Sequence, residues 1–228
     1  MKKITLLFVL STMVILSCKT EKKPEIDKSA PELSILEKVA HAHGYENWKF
    51  VEELRFTFNV DRDSSHFERK WVWKPRTNEV SGISNGDTVI YNRNAIDSLS
   101  AKVDAAFIND KYWLLAPFNL IWDKNNIEYE HTTGIKAPIS DQIMQKLTIV
   151  YGNEGGYTPG DAYDFYFDKD YLLKEWVFRK ENQAEPSMTT TWEAYEEKEG
   201  LQFGTMHKKA EENFKLYLSG ITLKTIHP

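Results

Sequence analysis

The feature that most constrains the fold of this chain is a series of short segments in which apolar and polar residues alternate. In the segment 53–60, every second side chain from Leu54 to Val60 is apolar, and charged or polar residues occupy the other face. A period of two predicts a half-buried β-strand, and turn signals such as Asn85-Gly86 predict an antiparallel meander. The predicted strands are 53–60, 66–74, 79–83, 88–92, 128–130, 146–151, 161–168, 172–179, 188–195 and 201–208.

Two stretches have helical spacing instead. The segment 29–32 matches a Ser-x-x-Glu capping box, so a first helix is predicted to begin there and to end before Gly44. The segment 95–107 also has helical spacing, and the apolar segment 108–118 after it predicts a short helix or loop packed against the sheet. The predicted fold class is therefore α+β: a strongly curved antiparallel β-sheet (an incomplete barrel), with an N-terminal helix and a mid-chain helical insertion on its concave side.

The start of the chain predicts a lipoprotein signal. Lys2 and Lys3 precede the apolar run 4–15, which is shorter than the ~20 residues that a membrane-spanning helix needs. An aliphatic residue, a small residue and then Cys18 follow in the manner of a lipobox, where the thiol forms a thioether to diacylglycerol. The predicted domains are a signal peptide over 1–17, the lipidated Cys18 with a flexible charged tether over 18–28, and a single domain over 29–228.

Charge and cysteine content restrict the partners. Cys18 is the only cysteine, so the chain cannot form an internal disulfide. The formal net charge of −5 and the lack of a basic cluster argue against nucleic acid. The lipid anchor, with acyl chains such as palmitate, predicts a membrane as partner, and the oligomeric state is left open. Because Lys19 follows the anchor and the segment 19–23 holds one acidic residue, we expect an outer-membrane location facing the periplasm.

The combination of a lipoprotein signal, one N-terminal helix, a long antiparallel meander and a helical insertion resembles the LolA/LolB-like periplasmic lipoprotein carriers. The resemblance implies an incomplete barrel wrapped around helices, with an apolar cavity that holds acyl chains. The segments 107–118 and 155–163 also resemble motifs of an uncharacterised family of Bacteroidota lipoproteins, which brings no activity with it. Fold does not fix function, and an anchor at Cys18 argues against a soluble shuttle.

Large rings are abundant, with 7 Trp, 11 Tyr and 12 Phe, and they suit both sheet packing and ligand cavities. Arg69 shares a strand face with Phe67, Trp71 and Trp73, where it could pair with an internal carboxylate, stack on a Trp or hold the anionic head of a ligand. One helix and one insertion are a modest cover for the inner face of the sheet. Two alternatives therefore remain: a cavity for a ligand, or a core filled by the rings themselves. The predicted ligand-binding residues are Phe56, Phe58, Arg69, Trp71, Trp73, Trp113, Phe118, Phe165 and Phe167.

Signatures of catalysis are missing from the sequence. The sequence has no phosphate-binding loop before a helix, and its Gly-x-Ser-x-Gly match at 82–86 coincides with the predicted Asn85-Gly86 hairpin turn instead of a turn between a strand and a helix. His41 and His43 are two residues apart, whereas a metal-binding pair on a helix needs a spacing of three or four. Asp161 and Asp164 fall on opposite faces of a strand. We therefore expect no enzyme, no cofactor and no metal.

Three functions remain in competition. The first is an anchored module that binds a lipid or other apolar ligand in a cavity under the sheet, in envelope lipid or lipoprotein handling. The second is a structural or interaction lipoprotein whose core is filled by its own side chains. The third is a hydrolase with scattered catalytic residues. A large cavity favours the first, an exposed apolar patch the second, and a pocket of close, perturbed titratable groups the third.

Overall fold

The computed structural model describes residues 32–84, 86–154, 158–210 and 213–226. The predicted signal peptide, Cys18 and the tether lie outside the described residues, as does the segment 155–157. The helices are α1 (Ile35–Ala42) and α2 (Ala101–Trp122), with short 3₁₀ turns at Tyr45–Phe50 and Lys180–Asn182. The strands are β1 (Val51–Arg62), β2 (Ser65–Lys74), β3 (Glu79–Ser84), β4 (Asp87–Asn92), β5 (Ile127–Lys136), β6 (Ile143–Tyr151), β7 (Ala162–Phe167), β8 (Leu173–Arg179), β9 (Met188–Thr191), β10 (Glu193–Lys198), β11 (Leu201–Lys208) and β12 (Phe214–Thr225).

The strands form two antiparallel sheets. One has the order β10-β11-β12-β1-β2-β3-β4, and the other has the order β5-β6-β7-β8-β9. The sheets adjoin where β9 continues into β10 through Trp192, whose backbone N–H donates to Lys174 O at 2.6 Å. Both sheets curve strongly and do not close into a barrel. The predicted α+β class is confirmed, and the single predicted sheet is two sheets that share a bent strand.

The inner faces of both sheets pack against α1 and α2 in one hydrophobic core. Strand pairing aligns the large rings across it: Phe56 lies opposite Trp71, and Phe165 lies opposite Trp176. Burial of these rings removes apolar area from water and stabilises the sheet curvature. The residues predicted for the inner face and its cover are all buried in this core, namely Phe56, Phe58, Trp71, Trp73, Phe165, Phe167, Leu36, Val39, Trp113, Leu114 and Phe118.

The predicted start of the first helix was wrong. The capping box is formed by Ser34 and Glu37, so α1 begins at Ile35. Ser34 and Glu37 have the same Ser-x-x-Glu spacing as the predicted box at 29–32. With the helix beginning at Ile35, Leu36 and Val39 face the core, whereas Leu33 stays 43% exposed. The predicted end is confirmed, because Gly44 has φ +81° and a Cβ there would lie 1.9 Å from Gly200 O.

The central insertion is one long helix instead of the predicted short helix or loop. Ile96 and Leu99 lie before it and are exposed, because the Asp97 carboxylate accepts from the backbone N–H groups of Leu99 and Ser100 and holds a turn there. Pro117 lies inside the helix and lacks the N–H of a helical hydrogen bond, and Leu115 departs from helical geometry with φ −121° and ψ 18°. The described helices include none that is long and apolar enough to span a bilayer.

Two strand predictions are corrected by the structure, and one strand was missed. The segment 128–130 belongs to a ten-residue strand, β5. The segment 188–195 is split at Trp192 into β9 and β10. β12 was not predicted, although it pairs with β1 along most of its length. Its apolar alternation is interrupted at Gly220, where the pairing register with β1 shifts.

Candidate functional site

Two adjoining clefts lie beside α2. The first, called here the Lys111 cleft, has a volume of about 480 Å³, and the second, the Tyr163 cleft, about 320 Å³. Ile108, Tyr112 and Thr158 line both of them. Both volumes fall in the roughly 300–1,000 Å³ range of small-molecule sites. Both clefts open to solvent, so the space available to a ligand lies at the side of the packed core.

Three tryptophans form the wall of the Lys111 cleft. Trp48 comes from the first 3₁₀ turn, Trp73 from β2 and Trp122 from the last turn of α2. The ring centroids of Trp48 and Trp73 are 5.3 Å apart, and those of Trp48 and Trp122 are 5.2 Å apart. The indole N–H of Trp73 is buried and has no hydrogen-bond partner among the described residues. Such a donor is a natural contact for a ligand or a water molecule.

Lys111 is enclosed by these rings and is only 6% exposed. Its Nζ atom lies 4.8 Å from the ring centroid of Trp122 and 5.5 Å from that of Trp73, which is cation–π geometry. Its hydrogen bond to Asn119 Oδ1 is long, at 3.4 Å. Burial lowers the pKa of Lys111 from 10.5 to about 8, and the charge of Arg93 adds to this effect while Asp123 and Asp104 oppose it.

A strip of polar groups continues along the floor of this cleft. Asp123 Oδ2 accepts from Asn119 Nδ2 at 2.9 Å and from the Tyr151 hydroxyl at 2.9 Å. The hydroxyls of Tyr151 and Tyr112 are 3.3 Å apart. Burial raises the pKa of both tyrosines above 10, so both stay neutral at physiological pH. The cleft therefore combines an apolar wall with a cation and neutral hydrogen-bonding groups.

The Tyr163 cleft is more apolar. Its rings pack closely, with centroid distances of 4.4 Å for the edge-to-face pair Trp113–Trp176, 4.8 Å for the tilted pair Tyr112–Tyr163 and 5.2 Å for the stacked pair Tyr163–Phe178. The indole N–H of Trp176 is also buried without a partner in the described part of the chain. Flat rings of this kind suit the contact surface of an acyl chain or another apolar ligand.

A wider depression of about 710 Å³ adjoins the Lys111 cleft at Asn126 and Tyr151. Turn residues such as Asn125, Asn153 and Gly160 line much of it. An apolar ligand gains little from such a lining, so the candidate site is restricted to the two clefts beside α2.

Two arginines next to α2 are bound to its carboxylates. Arg69 donates to both carboxylate oxygens of Asp110, at 2.8 Å and 2.6 Å, and Trp71 Nε1 donates to the same group at 2.8 Å. Arg93 Nε donates to Asp104 Oδ1 at 2.8 Å. The Arg69–Asp110 pair is bidentate, and a bidentate pair fixes side-chain geometry as well as balancing charge. Of the alternatives predicted for Arg69, the structure shows the internal carboxylate, and its guanidinium also lies over the rings of Phe58 and Phe67.

The predicted ligand-binding residues separate into two groups. Trp73 lines the Lys111 cleft and Trp113 lines the Tyr163 cleft. The others are placed in the core or in the Arg69–Asp110 pair, and a ligand role for any of them stays a prediction. They are Phe56, Phe58, Arg69, Trp71, Phe118, Phe165 and Phe167.

Sequence reasoning missed several residues that line the clefts, and Lys111 is the main one. The available signal was the spacing of Ile108, Lys111 and Tyr112, which places them on one face of a helix. That signal depends on recognising α2 as continuous through Pro117. The other missed residues are Trp48, Asn119, Trp122, Asp123, Tyr151, Tyr163, Trp176 and Phe178.

The histidines near the end of α1 differ in environment. His43 is buried, its Nδ1 lies 2.8 Å from Val39 O and its Nε2 lies 3.0 Å from the Tyr195 hydroxyl. Burial lowers the pKa of His43 to about 4, so it is neutral at pH 7 and does not act as a cation at the helix end. His41 lies at the surface near Glu46. Within the described ranges, no group of three or more potential metal ligands is found.

The two aspartates of the 161–168 segment have structural partners. Asp164 is bonded to Thr148 Oγ1 at 2.6 Å and to Arg179. Asp161 Oδ1 accepts from the backbone N–H of Glu181 at 2.8 Å. Both side chains are occupied in holding turns and strands together.

No protein-family model matches the sequence, and no curated protein matches it. Among solved structures, the chain is similar to a DUF1329 family protein from Desulfovibrio piger, with 8% identity, a TM-score of 0.44, and coverage of 84% of this chain and 94% of that one. It is also similar to a domain from Vibrio parahaemolyticus that is provisionally named an outer membrane lipoprotein-sorting protein. There the identity is 10%, the TM-score 0.42, and the coverage 83% of this chain and 94% of that one. Nothing about function follows from likeness at this level.

Proposed function

We propose that this chain is a membrane-anchored lipoprotein that binds a lipid or another apolar ligand in the two clefts beside α2. The observation that carries the proposal is the pair of adjoining clefts, walled by aromatic rings, that share Ile108, Tyr112 and Thr158. An apolar ligand placed there gains about 25 cal/mol for each Å² of apolar area removed from water. A role in handling envelope lipids or lipoproteins fits this chemistry.

The proposed architecture is that of a LolA/LolB-like carrier in which α2 fills the interior. Two curved sheets surround the helix, and the large rings of the core occupy the concave side. The binding space is accordingly placed at the edge of the core instead of directly beneath the sheets. A ligand would contact rings that are already packed, which keeps the ordering cost of binding low.

The anchor belongs to the same proposal. The lipobox ending at Cys18 predicts acylation, and Lys19 after it favours the outer membrane with the domain facing the periplasm. An anchored protein with an apolar cleft would act on lipids of its own membrane or receive them from a carrier.

We propose a binding role instead of catalysis. A hydrolase needs a nucleophile and a base within hydrogen-bond reach of each other. Lys111 has a lowered pKa within a cleft, but the contacts found for its ammonium are the Asn119 amide and two indole rings. That environment suits recognition of a charge more than transfer of a proton.

A second candidate, an interaction module, is favoured by exposed apolar side chains. Ile90 on the edge strand β4 is 68% exposed, and Ile143 on β6 is 70% exposed. These side chains are scattered, and scattered apolar residues are common on soluble surfaces. The ligand-binding proposal is the stronger of the two because the clefts are concave and continuous.

Photolabelling of membranes that contain the full-length protein tests the proposal. The probe is palmityl alcohol carrying a diazirine, and labelled peptides are located by mass spectrometry. We expect labelling of residues that line the clefts. Ile108→Trp narrows both clefts and should reduce labelling strongly, whereas Ile90→Trp adds the same ring to an exposed strand position and should not. Labelling elsewhere, or equal labelling of the two variants, would favour the interaction module.

A further inference from the structure

We propose that the ligand is an anionic amphiphile and that the ammonium of Lys111 binds its acidic head group, which deepens the proposed function and rests on it. The head group would lie in the Lys111 cleft, and the apolar chain would extend past Ile108 and Tyr112 into the Tyr163 cleft. The chemical class is a single long chain with one acidic group, such as a fatty acid.

The first argument comes from charge pairing along α2. The guanidinium groups of Arg69 and Arg93 are each bonded to a carboxylate of this helix, Asp110 and Asp104. Lys111 forms no ion pair with any carboxylate in the described ranges, and its one hydrogen bond goes to a neutral amide. Of these three cations, Lys111 is the one left to balance the charge of a ligand.

The second argument comes from the nearest carboxylate on the cleft floor. Asp123 is bonded to Asn119 Nδ2 and to the Tyr151 hydroxyl, which keeps it in place as an acceptor. Asn119 therefore lies between Asp123 and Lys111, with its amide N–H₂ towards the carboxylate and its oxygen towards the ammonium. The ammonium keeps donor capacity that Asn119 does not use.

The third argument comes from the surroundings of the ammonium. An ammonium that is 94% buried and without a carboxylate loses hydration that cation–π contacts replace only in part. An anion that enters the cleft restores a strong partner in a site of low polarity, where a charge-assisted contact is strongest. The unpartnered indole N–H of Trp73, another lining residue, is available as a second donor.

The experiment compares two diazirine probes of equal chain length, a palmityl sulfonate and palmityl alcohol, on membranes with the full-length protein. The sulfonate is ionised at every pH used, so only the protein titrates. We expect Lys111→Met to weaken sulfonate labelling about tenfold to a hundredfold relative to alcohol labelling, the usual effect of losing one bond to a charged group. Lys102→Met, an exposed lysine of the same helix, is the matched control.

A pH series on the unmodified protein provides a second measurement. Arg93, Asp104 and Asp123 act on Lys111 through their charges, and Tyr112 and Tyr151, which line the same cleft, have pKa values raised by burial. Sulfonate labelling should therefore fall as the pH rises above about 8, where free Lys111 loses its proton. Alcohol labelling should stay constant.

The outcomes separate the two proposals. If the alcohol probe labels the clefts, and if sulfonate labelling changes neither in Lys111→Met nor with pH, the proposal of an anionic ligand is wrong. The proposed function is then still supported. Labelling by neither probe overturns both. If excess inorganic phosphate displaces the sulfonate completely while alcohol labelling persists, the site takes small anions and the amphiphile is overturned.

Discussion

At the scale of single residues, the buried polar groups of this protein differ in how well they are paired. Asp110 receives three N–H groups from Arg69 and Trp71. The indole N–H groups of Trp73 and Trp176, by contrast, have no partner within the described chain, and both rings line a cleft. A buried indole N–H without a partner among the described residues also occurs at Trp192, which lines neither cleft. Pairing is therefore complete at Asp110, between β2 and α2, and incomplete at one indole of each cleft.

Lys111→Met should stabilise the protein at pH 7 by about 1–3 kcal/mol, because an apolar chain of similar size replaces a buried charge that lacks a carboxylate. The folded-state pKa of about 8 lies below the unfolded value of 10.5, so the unfolded state binds more protons between these values. The native protein therefore gains stability as the pH rises from 8 to 10.5, and the advantage of the variant should shrink. Urea unfolding across this range measures both effects, with Lys102→Met as control. An unchanged or lower free energy of unfolding at pH 7 would show that the ammonium is well compensated.

The buried histidines predict sensitivity to mild acid. Burial lowers the pKa of His43 to about 4 and that of His207 to about 3, so both are neutral in the folded state while the unfolded state protonates near 6.5. The contribution of each neutral histidine to the free energy of unfolding is present above pH 6.5 and is lost as the pH falls towards 4. The loss is about 2 kcal/mol per histidine between pH 7 and 5. His207→Phe keeps the ring contacts with Trp113 and Trp192 and should remove its share of this loss. Unfolding curves at pH 7 and 5 test this, with the surface variant His41→Phe for comparison. Equal acid sensitivity in His207→Phe and the native chain would contradict it.

At the scale of elements, the junction between the two sheets depends on close packing at one point. Gly204 of β11 lies against the indole of Trp192, and a Cβ on it would come within 2.1 Å of Trp192 Nε1. Trp192 is 1% exposed and its ring centroid lies 5.4 Å from that of Trp176. The glycine therefore lets the bent strand bring a large ring into the core at the place where β9 becomes β10.

Gly204→Ala should destabilise the protein by about 1–3 kcal/mol, because the methyl group overpacks a closed core. The clash needs the indole, so Trp192→Leu should remove it at the cost of a cavity. A double variant should then lose less stability than the two single changes together. Thermal unfolding of the four proteins in this cycle measures the difference. Strict additivity would mean that the indole moves aside and that the close contact does not define the junction.

At the scale of the whole molecule, the two clefts lie beside the central helix α2 of the domain. α2 connects β4, an edge strand of one sheet, to β5, an edge strand of the other. Its Asp110 binds Arg69 of β2 and its Asp104 binds Arg93, which directly follows β4, while Tyr112 contacts Tyr151 and Tyr163 of the second sheet. The helix therefore holds both sheets and presents the cleft face at the same time.

Acylation at Cys18 should be detectable by metabolic labelling with radioactive palmitate. The Cys18→Ala variant lacks the thiol that forms the thioether and should incorporate no label. Label that remains in Cys18→Ala would disprove the anchor at this residue.

The predicted outer-membrane location facing the periplasm is tested by protease treatment of intact cells. We expect the protein to survive until the outer membrane is permeabilised. Rapid loss from intact cells would show that the domain faces outward.

Local patterns in the sequence were sufficient for much of the fold. The alternation of apolar residues in β1 and β2 predicted which faces are buried, because side chains on a strand alternate between its two faces. Gly44 predicted the end of α1, because its left-handed conformation suits glycine. The predicted inward position is confirmed for four further residues, namely Trp71, Trp73, Phe165 and Phe167.

Tertiary structure decided the features that depend on contacts between distant segments. The helix α2 continues through Pro117 because both sheets bury it, and the local sequence by itself favoured a break there. Arg69 finds its partner on α2, forty-one residues away, so its role could not be read from its own strand. Lys111 is enclosed by Trp48, Trp73 and Trp122 from three separate elements. A cleft forms only where such segments meet. The residue pattern of one segment predicts which of its faces is buried, but it does not predict which distant residues pack against that face.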